Sequence, residues 1–429
     1  MKQTRESSTS PVARRRIALV LCIAGAGWLT ACGALDDLLS VQAPSRVEAR
    51  NLDDPATASL QLAGVIADFE CALSNYITAG ALLGDELEDG NGNVPDNDID
   101  RRAIDPAQVQ VTNVLCGSPN VPGPYRPLAI ARYQADAVLK QLDGWTDAQV
   151  PNRASAIATA AAYGGYAYLL IGEGWCSATF DLGPELQPAQ VLPLAEALFG
   201  RAITTAQQAG NTAIQNLALV GRARTRLGLG KGTEAAADAG QVPAAFVLNA
   251  NYSAVSARNE NHVHKATERT VWYNVGPLYR NVTYNGVPDP RFNVVQTTSR
   301  MTVGGQFLWA QRKYSALTSP IPIATGDEAQ LIVAEVAGGQ TAIGIINAFH
   351  SRAGIPLFTG TSAAAIRDQI VYERKAELFL ESHHLADIRR YNQPLVPAAG
   401  TPFPFGSGTY GSDRCFKLPD YERLNNPNF

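Results

Sequence analysis

Carboxylates and histidines are concentrated near the C-terminal end of the chain, in the segment ERKAELFLESHHLADIRRYN, which runs from Glu373 to Asn392. Two carboxylates at a suitable separation can serve as acid and nucleophile in glycoside hydrolysis. The same residue types also form ion pairs within a helix that neighbouring helices enclose. Apolar residues around the whole helical wheel favour the second interpretation. We predict one continuous helix through His384, in which Arg374 pairs with Glu377 and Glu381.

A second set of acids lies in GDELEDGNGNVPDNDIDRR, residues 84–102. Four of its side chains fall at positions 1, 3, 5 and 12 of a calcium-binding EF-hand loop, namely Asp89, Asn91, Asn93 and Asp100. Val94 stands where that loop needs its glycine, which breaks the frame. We therefore predict a solvated surface loop here, and calcium binding by it stays open.

The histidines show one further pattern that metal sites use. His262 and His264 form an H-x-H pair, and on a strand both rings would point to the same face. A third ligand of suitable type is missing nearby in the sequence. The sequence therefore predicts no metal site, and no pattern in it calls for a cofactor.

The N-terminal residues have the order of a secretory signal peptide. Three arginines, Arg14 to Arg16, precede a short apolar run from Ile17 to Trp28, which is too short to span a bilayer permanently. The following L-T-A-C resembles a bacterial lipobox, so we predict that residues 1–31 are removed and that Cys32 carries the lipid. Gly33 favours the outer membrane as the destination, with lipid chains as the anchor. A plain secreted signal with an incidental cysteine is the alternative.

Four cysteines remain after Cys32 and the signal peptide are set aside. Their even number in an exported chain suits two disulfides, which allows three connectivities. We favour Cys71 with Cys116, since both lie in the N-terminal third, which leaves Cys176 with Cys415.

Most of the chain has the periodicity of amphipathic helices. Helical patterns cover residues 128–145, 151–173, 192–209, 211–229 and 231–239, with small residues at positions where helices touch. The order of helix, turn and helix indicates loose tetratricopeptide-like hairpins. Residues 252–314 change to short aromatic and β-branched runs, which indicate short strands. The net charge of −4 provides no basic surface for nucleic acid.

Acids and arginines recur at fixed spacing near the C-terminus, at Glu373-Arg374, Glu377-Leu378, Glu381 and Asp387-Ile388-Arg389-Arg390. This pattern resembles the motif E-R-x-x-E-L-x-x-E-x-x-R-x-x-D-L-R-R of the SusD/RagB family of outer-membrane lipoproteins. The resemblance covers most of the mature chain, strongly from about Asp289 onward and loosely before it. Upstream, QLIVAEV and AIGIINAFHSRAGIP are similar to the family's A-E-A helix and I-N-x-x-R-x-R-A-G segment. Further similarities are DPR at 289–291, KY at 313–314 and the ending LPDYERLNNPNF. His383 and His384 depart from the family pattern, which has glycine and arginine there.

The resemblance implies a mainly α fold, with tetratricopeptide-like helical hairpins packed against an irregular loop-rich part with short strands. On this basis residues 32–54 are a lipidated tether and residues 55–429 a single SusD-like domain. The hairpins lie mainly in 128–240 and the ligand-binding irregular part mainly in 250–320. Residues 326–429 form a C-terminal helical and loop part.

The resemblance also implies a function without catalysis. A protein of this family captures oligosaccharide or another nutrient at the cell surface and acts as the lid of a SusC-like TonB-dependent transporter. Glycan capture needs flat aromatic faces and a few polar groups. The candidate contacts on the non-helical parts are Trp272, Tyr273, Tyr279, Tyr284, Trp309, Asn274, Asn285 and Asp96. About half of these rings are expected in the core.

Two other functions remain open from the sequence. A helical-repeat scaffold would bind a protein partner through a concave helical face. A surface glycoside hydrolase would need two carboxylates in an open cleft, which sequence spacing alone neither requires nor forbids.

Overall fold

The computed structural model describes residues 52–108, 114–117 and 123–429. These residues are mainly helical, which confirms the predicted fold class, and Pro55–Phe429 form one compact unit. The predicted signal peptide and the predicted lipidation site Cys32 lie outside the described residues. The helices are α1 (Ala58–Leu83), α2 (Val94–Asp100), α3 (Tyr125–Gly144), α4 (Arg153–Gly174), α5 (Pro188–Ala209), α6 (Thr212–Gly228), α7 (Gly232–Ala239), α8 (His262–His264), α9 (Gly326–Ala337), α10 (Gly339–Ala353), α11 (Ala363–Glu377), α12 (His384–Arg390) and α13 (Asp420–Leu424).

Consecutive helices from α3 to α7 pack against one another, and α1 packs on α3 and α4. The close approach of these helices depends on glycine and alanine at the positions where they touch. Phe199 of α5 is fully buried, and a Cβ atom at Gly165 or Gly221 would come within 2.8 or 2.4 Å of its ring. Helix α4 is long and apolar enough to cross a membrane, yet 83% of its most apolar window is buried among its neighbours. It is therefore the central helix of the core.

The strands form four antiparallel pairs among the described residues. The strands are β1 (Leu87–Asp89), β2 (Val247–Ala250), β3 (Tyr273–Val275), β4 (Thr283–Tyr284), β5 (Val287–Pro288), β6 (Val294–Arg300), β7 (Phe307–Gln311) and β8 (Ile321–Thr325). The pairs are β1 with β3, β2 with β8, β4 with β5 and β6 with β7. The short strands predicted between Tyr252 and Tyr314 are present.

Two disulfides connect distant parts of the chain. Cys71 of α1 is joined to Cys116, and Cys176 after α4 is joined to Cys415 near the C-terminus. These are the pairs that the sequence favours. The second bond holds the end of α4 beside the C-terminal loop, where Cys176 N–H also donates to Phe416 O at 2.9 Å.

Most of the acidic segment of residues 84–102 is buried, with Gly92 and Val94 exposed, so the prediction of a solvated surface loop was wrong. It contains strand β1 and helix α2, and five of its acids are at most 6% exposed: Glu86, Asp89, Asp96, Asp98 and Asp100. The burial results from contacts with residues that are distant in the sequence. Strand β1 pairs with β3 from nearly two hundred residues later, and Met301 packs so closely on Gly90 that a Cβ atom there would lie 2.2 Å from Met301 Cε.

The segment Glu373 to Asn392 is not one helix, contrary to the prediction. Helix α11 ends at Glu377 and α12 begins at His384, with Leu380 and Ser382 in the left-handed region at φ of 56° and 72° between them. Side chains that are distant in the sequence form hydrogen bonds with the backbone of this break. Lys313 Nζ donates to Phe379 O, and Tyr314 Oη donates to Leu380 O. Glu86 Oε1 accepts a hydrogen bond from Leu380 N.

The break between α11 and α12 determines which ion pairs form in this segment. Arg374 pairs with Asp387 at 2.7 Å, and the expected pairs with Glu377 and Glu381 do not form. Glu377 pairs instead with Arg291 and Arg352, and Glu381 pairs with Lys313. A continuous helix would have placed partners one turn apart, whereas the break turns the chain so that Asp387 of α12 reaches Arg374 of α11.

The two histidines beside the break, His383 and His384, contact neighbouring side chains inside the protein. His383 Nε2 lies 2.8 Å from Arg224 Nη1 and 3.0 Å from Glu328 Oε1, inside a buried charged cluster. The His384 ring meets Tyr279 edge-on with the centroids 5.7 Å apart, and burial lowers the pKa of His384 to about 4. These contacts account for the two positions where the chain departs from the family motif.

Glu86 provides a pH test of the break. Burial raises the pKa of Glu86 to about 7 from 4.5, against the smaller lowering effects of the Leu380 N–H, Lys313 and Lys375. Because the folded-state pKa is the higher one, the stability that Glu86 contributes is present below about pH 4.5 and lost as the pH rises through about 7. Between about pH 5 and pH 8 we expect the wild type to lose about 2–3 kcal/mol more unfolding free energy than Glu86→Gln.

Urea unfolding at the two pH values measures this difference. Glutamine keeps an acceptor for the Leu380 N–H, so the variant isolates the charge. Glu234→Gln, at an exposed position of α7, is the control and should follow the wild type. Equal pH dependence in wild type and Glu86→Gln would contradict the expected role of Glu86.

Candidate functional site

A cavity of about 420 Å³ lies between three segments that are far apart in the sequence. The first is β1 with its flanks, the second is the turn after β3, and the third is the C-terminal loop of residues 396–410. The lining residues are Asp85, Leu87, Glu88, Asp100, Gly276, Pro277, Arg280, Gln306, Val396, Pro397, Thr401, Pro402, Pro404, Phe405 and Tyr410. This volume suits a small ligand or part of a larger one.

Glycine brings the first two walls together. Gly276 N–H donates to Glu86 O at 2.8 Å, and a Cβ atom at Gly276 would lie 2.2 Å from Asp85 O. Any larger residue would push the turn of residues 276–280 away from β1. The position therefore requires glycine for contact rather than for an unusual backbone angle.

Arg102 ties the C-terminal loop to the first wall. Its side chain is fully buried, and its Nη1 donates to Asp85 Oδ1 at 2.6 Å. The same guanidinium donates to the carbonyl oxygens of Val396 and Pro397 and lies 4.8 Å from the centre of the Tyr410 ring. Burial raises the pKa of Asp85 to about 7, although Arg102 acts in the opposite direction.

Glu88 of the first wall and Arg280 of the second wall form a charged pair at the cavity. Arg280 donates to Glu88 Oε1 and, through Nε, to Val275 O at 2.7 Å. Asn274 Nδ2 also donates to Glu88 Oε1 at 2.9 Å, and Asn274 Oδ1 accepts from Trp309 N. Burial raises the pKa of Glu88 against the lowering effect of Arg280. The second wall thus presents a guanidinium whose position is set by β3.

Aromatic rings and prolines form the third wall. Phe403, Phe405 and Tyr410 pack edge to face, with the Phe403 centroid 5.6 and 5.2 Å from the other two. Pro402, Pro404 and Thr401 in the same loop are exposed. The three rings are at most 5% exposed, and only Phe405 and Tyr410 among them line the cavity. Apolar surfaces beside a few oriented polar groups are what binding of a sugar ring requires.

Solved structures with the same architecture come from Bacteroides. A SusD superfamily protein from Bacteroides vulgatus ATCC 8482 matches at 15% identity and a TM-score of 0.64, covering 87% of this chain and 98% of its own. One from Bacteroides fragilis matches at 12% identity and a TM-score of 0.66, covering 88% and 99%. The family model of the SusD family matches residues 328–421. The chain thus has the fold of SusD superfamily proteins, and its residues 328–421 carry the sequence pattern of the SusD family.

A third solved structure with this fold carries a ligand. It is the surface glycan-binding protein A from Bacteroides thetaiotaomicron in complex with laminarihexaose, at 14% identity and a TM-score of 0.59, covering 87% of this chain and 98% of that one. No curated protein sequence is significantly similar to the chain. The region matched by the family model includes α10 to α12 and the C-terminal loop that forms the third wall of the cavity.

Four of the predicted ligand contacts are buried and belong to the core instead. Tyr273, Asn274, Tyr279 and Asp96 are each 0% exposed. Tyr279 stacks on Phe379 with the centroids 4.9 Å apart, so its ring supports the break between α11 and α12. Large rings in short strands packed on a helical body lose their surface to the core, and the predicted contacts at these four positions are corrected accordingly.

The other four predicted contacts are partly or fully exposed but do not line the cavity. Trp309 is half-buried, and Arg280 lies 5.6 Å from its ring centre, so it supports the second wall from behind. Tyr284 and Asn285 belong to the β4–β5 hairpin, where Tyr284 meets the His350 ring at 4.5 Å. Trp272 is half-buried against the main core. The structure therefore brings one of them, Trp309, next to the cavity.

Sequence reasoning missed the third wall of the cavity. The stretch TPFPFGSGTYG from Thr401 to Gly411 contains three aromatic rings and two prolines, and its composition predicts only a loop. In the folded protein the three rings are buried against one another as a small separate cluster, and that packing shapes the loop into a wall. Composition alone carries no signal for such a cluster, because it forms between loop residues without helical or strand periodicity.

Proposed function

We propose that this protein binds a glycan in the cavity between β1, the turn of residues 276–280 and the loop of residues 396–410. The cavity itself carries the proposal, because it joins apolar and aromatic walls to the guanidinium of Arg280 and the amide of Gln306. The laminarihexaose complex of a protein with the same fold supports this ligand class. Sugar hydroxyls would bind the polar groups, and the ring faces would pack on the third wall.

The wider proposal is supported by the match to the SusD family and by the N-terminal sequence. We propose a lipoprotein anchored in the outer membrane through Cys32 and exposed at the cell surface. It passes the glycan to a SusC-like TonB-dependent transporter and acts as its lid, without catalysis. Support comes from the lipobox-like L-T-A-C and from the family match. Loss of metabolic fatty-acid labelling in Cys32→Ser would test the anchor, and a transporter gene directly upstream would support the partner.

Filling the cavity tests the binding site. Thr401 is exposed and lines the cavity, so Thr401→Trp should block it without disturbing the core. We expect glycan affinity to fall by at least about tenfold, which corresponds to about 1.4 kcal/mol. Calorimetry against a panel of soluble oligosaccharides that includes laminarihexaose measures the change.

Thr361→Trp is the matched control, because Thr361 is exposed in the loop between α10 and α11 and does not line the cavity. It should bind as the wild type does. Unchanged binding by Thr401→Trp would place the site elsewhere. Release of shorter sugars in the same incubations would instead favour the hydrolase alternative.

A further inference from the structure

Three buried carboxylates lie close together behind the first wall of the cavity, at Asp89, Asp96 and Asp100. None of them is more than 2% exposed. Their neighbours Asp85 and Asp98 pair with Arg102 and Arg101. Over the described ranges of the chain, no such ion pair reaches the three. A buried carboxylate without a cation has a high cost unless it is protonated or binds a metal ion.

Asp96 is the decisive residue of this group. It is fully buried, and neither of its carboxylate oxygens accepts a hydrogen bond. The Asn91 and Asn93 amides and the Tyr273 hydroxyl lie near the carboxylate and favour its charged form, without reaching hydrogen-bonding geometry. The carboxylate of Asp89 is near enough to act against that charged form. Asp96 thus faces a set of oxygen-bearing side chains while both of its own oxygens remain available.

The loop around Asp96 is closed by its own hydrogen bonds. Asp89 Oδ1 accepts from Asn91 N at 2.9 Å and Asp89 Oδ2 accepts from Gly92 N at 3.3 Å. Asp100 Oδ2 accepts from Asp89 N at 2.6 Å, which joins the two ends of the segment. The Asp89 carboxylate therefore closes a short loop that leads directly into α2, and the Asn91 and Asn93 side chains of this loop lie near Asp96.

We propose that Asp89 and Asp96, together with the side-chain oxygens of Asn91 and Asn93, bind a calcium ion. Carboxylate and amide oxygens are the ligands that calcium takes, and it accepts six to eight of them in flexible geometry. No set of three or more His, Cys, Asp and Glu side chains in the described part of the chain forms a metal site. Backbone carbonyls and water must therefore complete the coordination, as they do in many calcium loops.

This site is different from an EF-hand. Residues Val94–Asp100 form helix α2, so the chain leaves the loop after its fifth position instead of continuing through twelve. Asp96 then reaches back from the first turn of α2. Magnesium fits less well, because it needs near-ideal octahedral geometry and retains several waters. Calcium would also neutralise the buried charge that the segment otherwise carries.

The site adjoins the proposed glycan cavity without being part of it. Strand β1 supplies Asp89 to the loop and Leu87 and Glu88 to the cavity wall, and Asp100 contributes to both regions. Bound calcium would therefore hold the first wall in place. Binding of the ion itself is independent of the proposed function and can be measured without any glycan.

Calorimetry of the mature chain, stripped with chelator and titrated with calcium chloride, tests the proposal. We expect saturable binding near one ion per chain and a higher midpoint of thermal unfolding in calcium than in chelator. Asp96→Asn should lower the calcium affinity by at least about tenfold. Terbium, which replaces calcium in oxygen sites, should show luminescence sensitised by Tyr273, and Tyr273→Phe should lose most of it.

Asp98→Asn is the matched control, because Asp98 lies on the same helix but pairs with Arg101. It should bind calcium as the wild type does. Unfolding midpoints that are equal in calcium and chelator would overturn the proposal, and so would an Asp96→Asn variant with wild-type affinity. If Asp96→Asn does not fold, the unfolding midpoints of the wild type in calcium, magnesium and chelator decide the question by themselves. Equal stabilisation by magnesium would also contradict a calcium site.

Discussion

Asp387→Asn is expected to lower the free energy of unfolding by about 3–5 kcal/mol. Asp387 Oδ2 accepts a hydrogen bond from Arg374 Nε at 2.7 Å, and both side chains are almost fully buried. Asparagine keeps the shape of the side chain and removes its charge. The guanidinium of Arg374, which stays protonated, then loses its counter-ion inside the protein. Urea unfolding at neutral pH measures the change.

The pH dependence gives the same prediction a second readout. Burial by itself would raise the pKa of Asp387, but Arg374 and Arg390 hold it well below the usual range. Because the folded-state pKa is the lower one, the stability from this carboxylate is present above the ordinary value of 3.8 and lost as the pH falls further. The difference between wild type and Asp387→Asn should therefore shrink in acid.

Asp368→Asn is the control for this substitution. Asp368 is on α11, its side chain is 77% exposed, and its contact with Arg367 is 3.9 Å long. Removing its charge should change stability by no more than about 0.5 kcal/mol. A change of that size in Asp387→Asn would contradict a stabilising pair. Replacing both Arg374 and Asp387 with apolar residues should cost less than Asp387→Asn alone, because no unpaired charge remains.

Removal of the Cys176–Cys415 disulfide is expected to cost about 5.5 kcal/mol in the chain-entropy model. The bond closes a loop across a sequence separation of 239 residues. It also holds Trp175 against Phe416, whose ring centroids are 5.0 Å apart in the core. The double variant Cys176→Ser/Cys415→Ser, unfolded in urea under non-reducing conditions, measures the loss.

The second disulfide supplies the comparison. The Cys71–Cys116 bond closes a separation of 45 residues, for which the same model gives about 4 kcal/mol. Cys71→Ser/Cys116→Ser should therefore be the less destabilised double variant. The opposite order would show that local packing, rather than loop length, sets the contribution of each bond.

The helical hairpins could be predicted from the sequence because their signal is local. Apolar residues at helical spacing identify each helix within one or two turns, and alanines at contact positions such as Ala202 and Ala218 are fully buried as expected. The family motif near Glu373 is equally visible, since a motif is a matter of residue types and spacing. These local features are sufficient to predict the fold class.

The acidic segment could not be placed by the same reasoning. Asp89 and Asp96 look solvated in a sequence rich in glycine and asparagine, because composition carries no information about what packs on top. Strand β3 and Met301 cover the segment, and both are about two hundred residues away. The candidate cavity could not be predicted from the sequence for the same reason, because its three walls come from residues 85–100, 276–306 and 396–410.

By itself, the sequence determined the mainly helical fold class, the order of the hairpins and the resemblance to SusD/RagB proteins. Tertiary structure decided which carboxylates are buried, where the helix after Glu377 breaks and which rings face the cavity. The physical reason is the range of the interactions involved. Helical periodicity depends on residues that are neighbours in the sequence. The burial of Asp96 and the hydrogen bonds of Lys313 and Glu86 to the break depend on contacts that only the folded chain creates.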